Sequence, residues 1–106
     1  MGVIFKRADN GEADGAQALA SLLKEMKSPF SRGDRVGIKL HWGERGNRTY
    51  LPPAYAREIS RWLLEQGLKP FVFDTTVLYS GGRRTGEDSL ETARKHGFIP
   101  DFLGCE

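Results

Sequence analysis

Arg35-Val36-Gly37-Ile38-Lys39-Leu40-His41-Trp42-Gly43-Glu44-Arg45-Gly46-Asn47-Arg48-Thr49-Tyr50 runs from an apolar, alternating segment into a loop crowded with charged and polar side chains. Its first six residues read as a β-strand. Side chains alternate along a strand, so Val36, Ile38 and Leu40 share one face while Gly37, Lys39 and His41 share the other. Behind the strand, a short loop collects a histidine, a carboxylate, two arginines, an amide and two glycines. A loop that only joined two elements would not need that inventory. We read it as the place where the chain meets a ligand.

Pro52-Pro53 comes next, and prolines suit the first turn of a helix, where a missing N–H costs nothing. Tyr55, Ile59, Trp62 and Leu63 then mark one apolar helical face. Gly67 fits the C-terminal cap, with Leu68 as the apolar residue beyond it. Pro70-Phe71-Val72-Phe73-Asp74 is a second strand, apolar on both faces, as an interior parallel strand would be.

The same reading extends outward on both sides. Val3-Ile4-Phe5 reads as a further short strand, and Asp9-Asn10-Gly11 as a turn. Asp14 is placed at a helix N-cap, with Gln17 in the reciprocal capping-box position. Leu19, Leu22, Leu23 and Met26 follow at helical spacing, and Ser28-Pro29 ends that helix. On the other side, residues 75–86 form a long polar loop. Thr85 and Asp88 make a capping-box pattern for a third helix running to about His96, capped by Gly97. The tail, residues 99–106, is left without an element.

Three strands alternating with helices define an α/β fold of three layers, a mostly parallel sheet with flanking helices. The third helix has no strand after it. Residues 1–106 are therefore expected to be either a single α/β domain that pairs with another subunit, or the N-terminal fragment of a larger, here incomplete, domain.

Composition narrows the function classes. The 106 residues carry a formal net charge of +2, with 28% charged and 39% hydrophobic residues. That charge is too small to imply nucleic-acid binding, and no run of like charge forms a basic arm. No segment approaches the ~20 apolar residues of a membrane span. A single cysteine, Cys105, forms no internal disulfide and cannot supply the four ligands an iron–sulfur cluster needs. A reducing, cytoplasmic location fits best.

Chemistry is expected at one edge. In a β–α–β unit the crossover is right-handed and both strand ends point the same way. Lys39, His41, Glu44 and Asn47 are thus brought toward Asp74, Thr75 and Thr76, at the carboxyl edge where open α/β sheets bind ligands. His41, Glu44 and Asp74 are the candidates for proton transfer or for a divalent metal, because imidazole and carboxylate suit zinc, iron or nickel. Their spacing matches no closed metal motif. Lys39, Arg45, Arg48, Arg83 and Arg84 are candidates for holding a small anion. Gly81-Gly82 would let backbone approach it, and the helix after Thr85 would aim its positive end there. Gly-Gly-Arg-Arg-Thr-Gly is not a Walker motif. Asn47, Thr75 and Tyr79 complete the candidate ligand contacts. Trp42 and Trp62 are expected in the core.

Several ordered segments carry a family resemblance. They are residues 36–47, then Thr49-Tyr50-Leu51-Pro52-Pro53, Lys69-Pro70-Phe71-Val72-Phe73-Asp74-Thr75, Leu78-Tyr79 with Arg83 and Arg84, and Glu91-Thr92-Ala93-Arg94-Lys95-His96-Gly97-Phe98. Together they resemble the opening of uncharacterized iron–sulfur center proteins, over about residues 36–98. In that family this α/β domain of unknown function is often joined to a downstream ferredoxin-like module whose cysteines hold four-iron four-sulfur clusters. The resemblance implies a redox or electron-transfer context and the N-terminal part of a longer domain. It assigns no cluster to the residues present. Three function classes follow: the ligand-binding portion of an iron–sulfur-associated redox protein, a metal-dependent enzyme using His41, Glu44 and Asp74, and a non-catalytic assembly module.

Overall fold

A computed structural model describes residues 2–106. The elements run α1 (Glu12–Glu25), β1 (Arg35–Lys39), α2 (Pro53–Glu65), β2 (Lys69–Phe73), α3 (Gly86–Lys95) and α4 (Pro100–Leu103). β1 and β2 pair in parallel, with Gly37 opposite Phe71 and Lys39 opposite Phe73. The sequence is α/β as expected, with a two-stranded parallel sheet flanked by helices.

Alternation sorts the side chains as the sequence implies. Val36 and Ile38 are buried and Arg35, Gly37 and Lys39 are exposed. The buried face packs on α2 through Leu63, with Leu68, Ile59 and Trp62 around it. α1 lies outside this layer and packs against α2. There Gly15 permits a close approach, since a Cβ would strike the Tyr55 hydroxyl. On the opposite face Gly37 has no side chain to push away the rings of Phe71 and Phe73, and Arg35 stacks 4.9 Å from the Phe71 centroid.

Local signals were accurate where the interaction is local. α2 begins on Pro52-Pro53 and closes at Gly67 (φ 74°), whose N–H reaches the Leu64 carbonyl while Leu68 reaches Leu63. Thr85 caps α3 by accepting the Asp88 N–H at 3.1 Å. Gly97 (φ 89°) follows it, with Phe98 buried beyond.

Three expectations are corrected. Residues 3–5 form no strand: Val3 and Phe5 are 96% and 81% exposed, and the segment has no strand partner among the described residues. A strand exists only through its partner, and apolar composition alone does not supply one. The first helix starts at Glu12 with Gly11 at the cap, three residues before the Asp14 expected there. The Asp14 carboxylate accepts the preceding N–H groups of Asp9 and Asn10, so it ties the entering chain back onto the first turn. The tail contains a short helix, α4, opened by Pro100 at its first position and closed by Gly104 in the left-handed region (φ 77°).

A second core cluster links the loops to the helices. Trp42, Ala56, Ala93, Phe98 and Leu103 are buried together, with Leu40, Tyr50, Val72 and Cys105 against them. Leu40 and Val72 touch both clusters, so the two are continuous. Among the described residues no helix is long and apolar enough to cross a membrane.

Candidate functional site

The loop after β1 is held by its aromatic residues. Trp42 is 4% exposed, and its indole N–H donates to Ser89 Oγ on α3 at 3.2 Å. His96 donates from Nδ1 to the Trp42 carbonyl at 2.6 Å, and Tyr50 stacks on the His96 ring at 4.2 Å. Gly43 (φ 86°) lies so close to Tyr50 that a Cβ would meet the ring at 2.6 Å. The expectation that Trp42 is core holds. Its anchoring role, and that of His96, was not visible from spacing, because both partners lie about fifty residues away in sequence.

That anchored loop faces the end of β2. Asp74 is the centre of the arrangement, with its side chain 2% exposed. Its Oδ1 accepts from Lys39 Nζ at 2.9 Å and from the Thr75 N–H at 2.8 Å. Its Oδ2 stands 2.7 Å from Arg83 Nη2 and accepts the Trp42 N–H at 3.4 Å. His41 Nδ1 is 3.3 Å from the same oxygen and 3.3 Å from the Gly43 nitrogen. With a proton, Nδ1 donates to Asp74; without one, it accepts from Gly43. The two bonds exclude each other, so the His41 tautomer decides which loop contact is made.

Arg83 bridges the two carboxylates. Its side chain is 5% exposed; Nη1 donates to Glu44 Oε1 at 2.8 Å and Nη2 donates to the Thr75 carbonyl at 2.8 Å. Tyr79 donates its hydroxyl to the same Glu44 oxygen at 2.8 Å. Arg83 Nε is buried with no partner among the described residues. The loop that carries Arg83 folds on itself: the Val77 N–H meets the Arg83 carbonyl, and Thr92 on α3 donates to the Gly82 carbonyl.

Charge follows the geometry. Burial pushes the Asp74 carboxyl up, but the hydrogen bonds from Lys39 and Thr75 and the charges of Arg83 and Lys39 outweigh it, and its pKa is lowered. Desolvation acts upward on Glu44 too, and is outweighed by hydrogen bonds from Tyr79 and Arg83 with the charges of Arg83 and His41. The bond to Glu44 is the main reason the Tyr79 hydroxyl is pushed up, because ionised Tyr79 could not donate it. Both carboxylates are therefore anionic at neutral pH, and the phenol is neutral.

Of the residues singled out in the sequence, Lys39, His41, Glu44, Asp74, Tyr79 and Arg83 are brought together. Thr75 joins through its backbone. Asn47 instead closes its own turn, its Oδ1 accepting from the Thr49 N–H at 2.7 Å and hydroxyl at 2.8 Å. Arg48 and Arg84 are exposed and make no ion pair among the described residues, while Arg45 lies over Gly82 and reaches Asp88 at 3.8 Å. Among the described residues no three of His, Cys, Asp and Glu stand in a group that could hold a metal ion. The Arg83 guanidinium occupies the space between Glu44 and Asp74.

The class defined is an α/β protein with a polar, charge-paired constellation at the carboxyl edge of a parallel sheet. The chain belongs to the family whose model, described as a domain of unknown function (DUF362), matches residues 36–104. That span holds β1 from Val36 on, the anchored loop and every residue of the constellation. No curated protein and no solved structure matches the chain.

Proposed function

We propose that the carboxyl edge around Asp74 binds a small anionic molecule. The carrying observation is that one buried carboxylate gathers Lys39, His41 and Arg83 while Lys39 and His41 keep side chains 49% and 57% exposed. Lys39 Nζ has a further N–H beyond its bonds to Asp74 and the Leu40 carbonyl, and His41 has its Nε2. Both are oriented by their inner contacts and open on their outer side. Arg84, next to Arg83 in the chain and without an ion pair among the described residues, adds exposed positive charge. A carboxylate or phosphate oxygen would accept from Lys39 Nζ and His41 Nε2, and charge-assisted bonds would supply most of its affinity.

Calorimetric titration with inorganic phosphate, nucleotides and small carboxylates tests the reading. Saturable binding that Lys39→Ala weakens tenfold or more supports it. No saturable response from the folded chain overturns it. The iron–sulfur-associated redox context of this reading is supported by the sequence resemblance over residues 36–98, and it assigns this chain the ligand and not the cluster.

One observation favours a second reading, a metal-dependent enzyme. A histidine turned by a carboxylate, with the other ring nitrogen open, is how metal-ligating imidazoles are commonly held. His41 on Asp74 has that form. Glu44 and Asp74 could join it as ligands only if Arg83 withdrew from both. Metal analysis of untagged protein distinguishes the readings: stoichiometric metal lost in His41→Ala favours the metal.

A further inference from the structure

The sheet face turned away from α2 carries Arg35, Gly37 and Lys39 from β1 and Lys69, Phe71 and Phe73 from β2. Alternation puts them there, because Val36, Ile38 and Val72 take the other face, against Leu63 of α2. The six include three cations, two aromatic rings and no carboxylate. The net charge of +2 for the whole chain conceals this, since the acids that balance the chain are not among them.

Two of the cations are set against each other. Arg35 stands directly opposite Lys69 in the strand register, and neither makes an ion pair among the described residues. Like charges directly opposite one another destabilise a sheet. A local rule broken in this way points to a use for both charges. Lys39 is the third cation, paired in register with Phe73 at the other end of the face. It lies four residues beyond Arg35, about 13 Å along the strand.

The rings fill the space between these ends. The Phe71 and Phe73 centroids are 5.8 Å apart, and both rings lean over Gly37, where a Cβ would come within 2.8 Å of Phe73 and 3.0 Å of Phe71. The glycine is a recess that lets the rings lie down across β1. Phe73 keeps 38% of its surface exposed, and the Arg35 guanidinium lies over Phe71.

We propose that this face binds single-stranded nucleic acid. Bases stack on the Phe73 ring and on the Arg35 guanidinium; phosphates are held by Arg35 and Lys69 at one end and by Lys39 at the other. The separation of the charges exceeds the reach of one phosphate, so the occupant repeats its charge. Between those charges it must lay a flat surface on the rings, which every base can do. A duplex hides its base faces in its own stack, so the strand is single. Aromatic side chains on an open sheet face are one way in which proteins take unpaired bases. A second copy of the chain would bring the same three cations against these three. Arg35, Lys69 and Phe73 take no part in the anion site around Asp74, so the two readings are tested separately.

The test is fluorescence anisotropy of a labelled ten-nucleotide oligouridine titrated with the whole chain at low salt. We expect saturable binding that weakens as salt rises. Lys69→Glu should weaken it tenfold or more. Phe73→Leu, which keeps an apolar side chain on the strand but removes the ring, should weaken it fivefold or more. Lys69 is exposed, so its variant keeps the test open if Phe73→Leu fails to fold. No saturable binding overturns the proposal, as does a change under twofold in a folded variant. Polyglutamate that displaces the oligonucleotide as well as unlabelled oligouridine does also overturns it, because charge alone would then account for the binding.

Discussion

Arg83 Nη2 lies 2.7 Å from Asp74 Oδ2, and the two side chains are 5% and 2% exposed. Removing Arg83 leaves buried Asp74 with the half-exposed Lys39 and His41 beside it, and removing Asp74 leaves Arg83 with Glu44, so the cost is about 3 kcal/mol, the lower end for breaking a buried pair. Arg83→Ala is expected to lose that much in urea unfolding. In a double-mutant cycle with Asp74→Ala, the second substitution should cost much less than it does alone. A loss under about 1 kcal/mol for Arg83→Ala would mean that solvent, and not Asp74, satisfies the guanidinium.

Stability should respond to acid through the same carboxylates. Asp74 and Glu44 have folded pKa values below their unfolded ones. Their contribution is present above the unfolded values and is lost as pH falls through the folded ones. Tm should be level above about pH 5 and fall below about pH 4. Asp74→Asn should start lower and show a shallower acid slope. Tyr79 is shifted in the opposite sense, so its bond to Glu44 persists up to the ordinary phenol range and is lost as pH rises through its raised pKa. Absorbance titration should show Tyr79 ionising at lower pH in Glu44→Gln.

Gly43 and Gly46 both have positive φ, at 86° and 80°. Alanine costs about 1–2 kcal/mol at either from backbone strain. Only at Gly43 would the added Cβ also strike Tyr50, whereas at Gly46 it meets nothing within 4 Å. Gly43→Ala should therefore destabilise more than Gly46→Ala in chemical denaturation. It should also weaken ligand binding, because Tyr50 is part of the stack that holds the loop. Equal losses would show that Tyr50 yields freely.

What was legible in the sequence was what neighbours in the chain decide. The Thr85 cap and the Gly67-Leu68 and Gly97-Phe98 helix ends are set by residues a few positions apart, and the alternation of Val36 and Ile38 marks β1 within its own span. Residues 3–5 have strand composition, yet pairing is a property of two segments and only one was in view. α4 had a signal, Pro100 after the extended Ile99, that was too short to distinguish from a turn. The site was half legible. Topology placed His41 and Glu44 beside Asp74, but residue type does not reveal whether an arginine is free for a ligand or committed to a carboxylate. Arg83 is committed, and Arg84, its neighbour, is not. Asn47 satisfies its own turn, an alternative open to any loop asparagine.

In the proposed function the outward sides of Lys39 and His41 form an anion site at the carboxyl edge of the sheet. Residue-resolved NMR titration of the whole chain with inorganic phosphate and a small dicarboxylate tests it most directly. We predict saturable shifts at the Lys39 and His41 side chains and at the Thr75 and Trp42 amides, all fitting one Kd, and abolished by Lys39→Ala in a chain that keeps its fold. Shifts that scale linearly with added salt, or that map away from Asp74, would contradict it.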